Sequence, residues 1–133
     1  MQTALITGGS RGIGAAIVRG LAGKGWRGAF CYKSSDAAAQ QLAQETGALP
    51  IRCDVCHSGQ VREMVEAAMR QLGHIDLLVN NAGVAWQGLL TDMTDDDWRT
   101  VLDTSLSAAF YACREAIPGM VSRKSGRIIN ISS

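Results

Sequence analysis

The sequence predicts an α/β fold, a doubly wound parallel sheet, and three observations carry that expectation. Short apolar runs alternate with helical patterns along all 133 residues, as in a parallel sheet with right-handed crossovers and helices on both faces. The runs are nearly unbroken in their apolarity, as in Leu77-Leu78-Val79 and Ile128-Ile129, which suits strands covered on two sides. A glycine-rich segment from Thr7 to Gly14 opens the first strand-to-helix turn.

Residues 3–7 read as the first strand. Residues 12–24 set Ile13, Ala16, Ile17 and Leu21 at helical spacing and stop at a lysine between glycines. Residues 27–32 form a second strand, followed by an alanine- and glutamine-rich helix over 36–47 that Gly47 closes. Residues 49–55 make a third strand, and Pro50 near its start suits a sheet edge because proline cannot donate to a ladder. Ser58 caps a third helix that carries Val61, Met64, Val65, Ala68 and Leu72 as far as Gly73. The fourth strand covers 75–81. Thr94 then caps one long helix whose first turn, Asp95-Asp96-Asp97, sets acid at the positive end of the dipole. Its apolar stripe runs through Trp98, Val101, Leu102, Leu106, Ala109, Phe110, Cys113, Ile117 and Met120, with Pro118 a late bend. Residues 127–131 form the fifth strand.

Composition narrows the class. With 47% hydrophobic and 19% charged residues the chain builds a core and is not disordered, and its length suits a single domain over 1–133. A net charge of +1 gives no electrostatic case for nucleic acid or an anionic membrane. The one basic cluster, Arg123, Lys124 and Arg127, reads as a helix C-terminus. No apolar run approaches the roughly 18–20 residues that span a bilayer. Met1 and Gln2 lead directly into a strand, so no secretory signal is read and a cytoplasmic location is expected. Cys53, Cys56 and His57 match the spacing of haem attachment, but that motif needs an exported context, and its first cysteine falls in a strand. Cys31 and Cys113 are singletons, so no zinc set forms either. All four are expected as reduced thiols packed like small hydrophobes, with no metal.

The glycine loop carries the first functional signal. Gly8, Gly12 and Gly14 let the chain turn sharply, let backbone approach a pyrophosphate, and let the next helix pack closely. The helix N-terminus beyond them offers free N–H groups to phosphate. The spacing, Gly-x-x-x-Gly-x-Gly, is not the common Gly-x-Gly-x-x-Gly fingerprint. At the end of the fourth strand Asn80-Asn81-Ala82-Gly83 places amides and a glycine beside the crevice where a dinucleotide lies.

These two motifs, with the strand "GRIINISS" (126–133), resemble the short-chain dehydrogenase/reductase family, and within it the 3-oxoacyl-[acyl-carrier-protein] reductases most. The resemblance covers the whole chain and implies a Rossmann-type fold. It also implies cofactor contacts from Gly8, Ser10, Arg11, Gly12, Ile13, Gly14, Asn81, Ala82 and Gly83, with Asp54 and Val55 at the adenine; Asn80 is read as structural. NAD-binding domains usually place an acid after strand two, on the ribose hydroxyl. Here Tyr32, Lys33 and Ser34 occupy that place and Arg11 lies in the glycine loop, which favours NADP(H) over NAD(H). Asp36 belongs in the first turn of the following helix.

In the family a Ser, a Tyr and a Lys four residues after the Tyr carry the reaction, with an Asn from the long helix. The resemblance assigns Ser133 to the Ser position and sets Ser105 where the Asn stands, with a side chain too short to copy its reach. Neither tyrosine heads a Tyr-x-x-x-Lys pair: Asp36 follows Tyr32 by four, and Glu115 follows Tyr111. The sequence is therefore expected to break off within an active site, ahead of that pair, and to be inactive alone. The implied function is reduction of a small ketone or an acyl-carrier-protein-bound 3-oxoacyl group, in a homo-oligomer built through the 95–123 helix. The alternative is a dinucleotide-binding module without catalysis. A Rossmann-type methyltransferase would want an acid after strand two and has no use for Asn80–Gly83.

Overall fold

A computed structural model describes residues 1–132. The elements run β1 (Thr3–Ile6), α1 (Gly12–Gly23), β2 (Arg27–Tyr32), α2 (Asp36–Thr46), β3 (Leu49–Arg52), α3 (Ser58–Leu72), β4 (Leu77–Asn80), α4 (Asp95–Leu102), α5 (Ala108–Arg123) and β5 (Arg127–Asn130). The five strands form one parallel sheet in the order β3-β2-β1-β4-β5. The chain builds outward from β1 to β3, then returns to start again at β4 on the other side of β1. That reversal opens a crevice at the carboxyl ends of β1 and β4, where open α/β sheets bind ligands.

Alternation along each strand divides the core into two. Leu5, Ala29, Cys31 and Leu78 face α3 and α5; Ala4, Ile6, Phe30 and Val79 face α1 and α2. Pro50 lies on the edge strand β3, as its missing donor requires. The strands stop earlier than the sequence suggests. β3 ends at Arg52, although the Cys53 N–H still donates to the Tyr32 carbonyl at 2.9 Å. β4 ends at Asn80 because the groups beyond it bond to a loop rather than to a strand.

Two helix expectations are corrected. His57, not Ser58, holds the cap position of α3; its backbone is extended, and Ser58 is already helical. The long helix is two helices joined by a π-helical turn, Asp103–Ser107. Its start is as expected: the Asp97 N–H donates to Thr94 Oγ1 (3.1 Å) and the Thr94 N–H to Asp97 Oδ2 (3.0 Å), a reciprocal box. The wide turn shifts the helical register, so the stripe read from the sequence mixes two faces. Ala108, Ala112, Ala116 and Met120 form the buried face in the core shared with α3, and the alanines allow a close approach. Leu106, Phe110 and Ile117 stand exposed, with Val121 beside them and Trp98 on α4.

At the other end of the sheet Asp76 gathers the termini of three elements. Its carboxylate accepts from the Thr3 N–H (2.9 Å), pairs with His74 (3.0 Å) and meets Arg123 at 3.1 Å. Burial opposes its ionisation, but the Thr3 N–H, Arg123 and His74 outweigh it and hold the carboxyl below the usual aspartate range. A depressed folded value contributes stability above the ordinary range, near 3.9, that is lost as pH falls through the folded one. Asp76→Asn should therefore lower stability by about 1.5–3 kcal/mol at neutral pH. Denaturant melts of both proteins should converge between about pH 5 and pH 2; a gap unchanged at low pH would contradict the ion-pair account.

A second expectation concerns β5, an edge strand of the sheet among the described residues, where Ile129 and, just beyond the strand, Ile131 are exposed. Together with the open face of α5, this edge should drive self-association of the 133-residue chain at micromolar concentration. Sedimentation should show species above the monomer that decrease with Phe110→Glu. A folded monomer throughout would contradict the expectation.

Candidate cofactor cleft

The loop after β1 owes its shape to glycines at positions where a side chain would fail for different reasons. Gly8 and Gly12 have φ of +62° and +56°, the left-handed region. Gly9 donates its N–H to the Cys31 carbonyl (3.0 Å), and a Cβ there would strike Phe30. At Gly14 a Cβ would run into the Gly8 carbonyl and the Asn81 amide, so α1 could not pack against the loop. Arg11 holds the cap position of α1 without a side-chain cap bond. The first-turn N–H groups are thereby left to an anion.

The loop after β4 is tied to this one by a residue the sequence reading passed over. Thr7, buried at the end of β1, accepts N–H bonds from both Asn81 and Ala82 at 3.0 Å. The Asn81 side chain donates to the Gly8 carbonyl at 3.0 Å. The signal was a hydroxyl at the point where an apolar strand run meets glycines. Asn80 is structural, as expected: its amide donates to Asn130 Oδ1 (2.9 Å), joining β4 to β5, and lies 3.5 Å from Cys113 Sγ on α5.

Between the two loops lies a cleft of about 830 Å3. Of the residues singled out in the sequence, Gly8, Ser10, Arg11, Lys33, Ser34, Asp54, Val55, Asn81, Ala82 and Gly83 line it. Gly12, Ile13 and Gly14 do not; they form the first turn of α1, and the Ile13 side chain is exposed. Ser105 lies in the π-turn, its hydroxyl 3.5 Å from where a Cβ on Gly83 would sit. Its neighbour Thr104 lines the cleft and meets Cys56 Sγ at 3.1 Å, so this turn is held against the loop after β3. Ser133 lies outside the described residues. A smaller cavity of about 340 Å3, beside Trp26, Leu49 and Leu72, contains none of the glycine loop after β1.

One group of the cleft's charges stands at the ends of β2 and β3, apart from Arg11 and from Asp96, Arg99 and Asp103 on the opposite wall. Lys33 Nζ stands 3.6 Å from an Asp54 carboxylate oxygen, and His57 Nε2 is 3.5 Å from the same atom. The expected place of Asp54 is at an adenine; its carboxylate turns toward Lys33 and His57. Burial raises its pKa, but the Cys56 N–H at 3.1 Å, Lys33 and His57 prevail and hold the carboxyl below its usual range. Asp36 is the first residue of α2, away from the lining. Cys31, Cys53 and Cys56 all line the cleft as free thiols; partnership with Cys31 and burial push Cys53 well up. Glycines that leave no room for a Cβ, an uncapped helix N-terminus, Arg11 after β1 and Lys33 after β2 make a set of donors suited to a phosphate-bearing ligand.

Residues 2–133 match the model for short chain dehydrogenases. The chain belongs to that family. A 3-oxoacyl-[acyl-carrier-protein] reductase of Staphylococcus aureus is 37% identical over 99% of this chain and 56% of its own length. An acetoacetyl-CoA reductase of Shinella zoogloeoides is 41% identical over 99% of this chain and 55% of its own. Among solved structures, a blue fluorescent protein from a metagenomic library, in complex with NADPH, superposes with a TM-score of 0.90 at 42% identity, over 99% of this chain and 56% of that one. The chain thus spans about half the length of the curated relatives it matches.

Replacing Thr7 with Val leaves two part-buried N–H groups without their acceptor. The cost should be about 1–3 kcal/mol, read as a lower denaturation midpoint. Thr7→Ser should recover most of it, which separates the hydroxyl's role from simple packing. Equal midpoints for Val and Thr would show that the clamp is dispensable.

Proposed function

We propose that this chain supplies the cofactor-binding half of an NADPH-dependent carbonyl reductase acting on 3-oxoacyl thioesters or similar ketones. One observation carries the reading: a glycine-loop cleft at the reversal of strand order, with Lys33 and Arg11, rather than an acid at the end of β2, beside it. The relatives add support, being reductases of 3-oxoacyl and acetoacetyl thioesters and a protein that binds NADPH. When bound, the nicotinamide supplies the hydride. The chain's own residues bind and orient. The N-terminus of α1 faces the pyrophosphate, with Gly12, Ile13 and Gly14 contributing backbone rather than side chains. Arg11, Lys33 and Ser34 engage the 2′-phosphate, while Val55, Ala82 and Gly83 line the walls. Ser133 donates a hydrogen bond to the ketone oxygen, and Ser105 stands where the family carries an amide, with a hydroxyl too short to copy its reach. The exposed face of α5 is the contact between copies.

A second reading, a dinucleotide-binding module without turnover, is favoured by one fact of the sequence: neither Tyr32 nor Tyr111 has a lysine four residues on. A carbonyl oxygen gaining charge must be protonated, and a lone serine hydroxyl is a poor acid near neutral pH. Loss of a positioned general acid costs about 10²–10⁴ in rate. The two readings separate by following NADPH absorbance with an acetoacetyl thioester, for the chain alone and with a segment carrying Tyr-x-x-x-Lys appended. The reductase reading expects activity only in the longer protein, reduced by at least about 10²-fold in Ser133→Ala. Inactivity of both would favour the binding module.

Cofactor choice is tested by titration. NADPH should bind more tightly than NADH, and Arg11→Ala with Lys33→Ala should weaken NADPH selectively, each contact contributing about 1.5–3 kcal/mol. Equal or tighter binding of NADH by the unaltered chain would overturn the NADPH assignment.

A further inference from the structure

We infer that Asp54 is a specificity-determining residue, an internal rival for the cation that reads the cofactor's 2′-phosphate. This rests on the NADPH reading above and adds to it a residue that works against the preference. Asp54 is the fixed member of its pair. Its Oδ1 accepts the Cys56 N–H at 3.1 Å, and its own N–H donates to Gln60 Oε1 at 2.8 Å, so the loop before α3 holds the carboxylate and the first turn of α3 the backbone. The Asp54 side chain is 23% exposed, whereas that of Lys33, 3.6 Å away, is 73% exposed. Lys33 is therefore the mobile partner, and with no dianion beside it the carboxylate is its counter-ion. His57, 3.5 Å from the same oxygen and 64% exposed, is the other cation-capable group on it.

A ligand phosphate arriving at Lys33 must draw the ammonium away from Asp54. It must also tolerate a carboxylate a few ångströms behind that ammonium. A ligand with a free 2′-hydroxyl meets neither cost. Asp54 thus weakens the phosphorylated cofactor and leaves the unphosphorylated one untouched, which narrows the discrimination that Arg11 and Lys33 create. Asp54→Asn isolates the effect, because its amide oxygen can still accept from Cys56 while the charge is gone.

The experiment titrates the chain with NADPH and NADH by nicotinamide fluorescence, and with 2′,5′-ADP and 5′-AMP by calorimetry. Far-UV dichroism and melting midpoints check the fold; Asp54→Ser replaces the Asn variant if that one unfolds. The ratio of NADH to NADPH dissociation constants should rise about three- to fivefold in Asp54→Asn, the size expected of one partly exposed charge pair. The 5′-AMP to 2′,5′-ADP ratio should rise with it. In a Lys33→Met background the same substitution should move either ratio less than twofold. An unchanged or falling ratio, or a gain that persists without Lys33, would overturn the inference. A parent chain with no preference for NADPH would instead overturn the cofactor reading. Absence of saturable NADPH binding would overturn both.

Discussion

The cleft depends on one hydroxyl. Thr7 Oγ1 accepts the N–H groups of Asn81 and Ala82, and the Asn81 amide answers by donating to the Gly8 carbonyl. These bonds join the ends of β1 and β4, the two strands between which the topology reverses. A reversal of strand order only guarantees that two loops diverge; it does not hold them at a fixed spacing. The clamp does, and it does so with a buried acceptor whose loss leaves N–H groups unsatisfied. Gly14 is then forced to be glycine, because α1 packs onto the carbonyl that Asn81 already occupies. The glycine loop is shaped as much by its neighbour across the sheet as by its own sequence.

From this fixed pair of loops the far wall of the cleft follows. The π-helical turn at Asp103–Ser107 brings Thr104 to Cys56 and Ser105 to the Gly83 loop, so residues from three separate connections meet. The π-turn sits where the inward face of α5, Ala108, Ala112 and Ala116, gives way to Thr104 at the cleft. The wide turn resolves two demands on one helix: small residues packed inward below, polar residues presented to the cleft above. The large side chains Leu106, Phe110 and Ile117 stand on the other side, away from the core.

The fold was legible because its signals were local and repeated. Each helix carried apolar spacing, a cap or a terminal glycine, and strand alternation divided the core as expected: Leu5 and Leu78 to one side, Ile6 and Val79 to the other. Thr94 and Asp97 are a cap that sequence can state in full. What escaped were features set by contacts between distant segments. The π-turn has no periodic signature, since it arises where a helix must serve both α3 and the cleft. Thr7 looked like the last residue of a strand, because the N–H groups that it accepts lie more than seventy residues on. Ser58 lost the cap position to His57 because the chain is still extended at residue 57, where the loop after β3 is drawn in by Asp54 and Gln60.

Asp54 shows how the same limits apply to charge. The resemblance sets it at the adenine, a place from which its charge does not bear on a phosphate. The register of β2 against β3 says otherwise. Tyr32 pairs with Arg52, and beyond that last pair Lys33 follows β2 by one residue and Asp54 follows β3 by two, their charged groups 3.6 Å apart. A cation at the end of β2 is therefore never an isolated charge in this fold; its strength is set by what leaves β3 next to it. Reading cofactor preference from the β2 terminus alone counts the attraction and omits its counterweight. With an acid fixed by two backbone bonds at one side and solvent at the other, Lys33 answers to both, and the preference that it confers is a difference between two ion pairs rather than the strength of one.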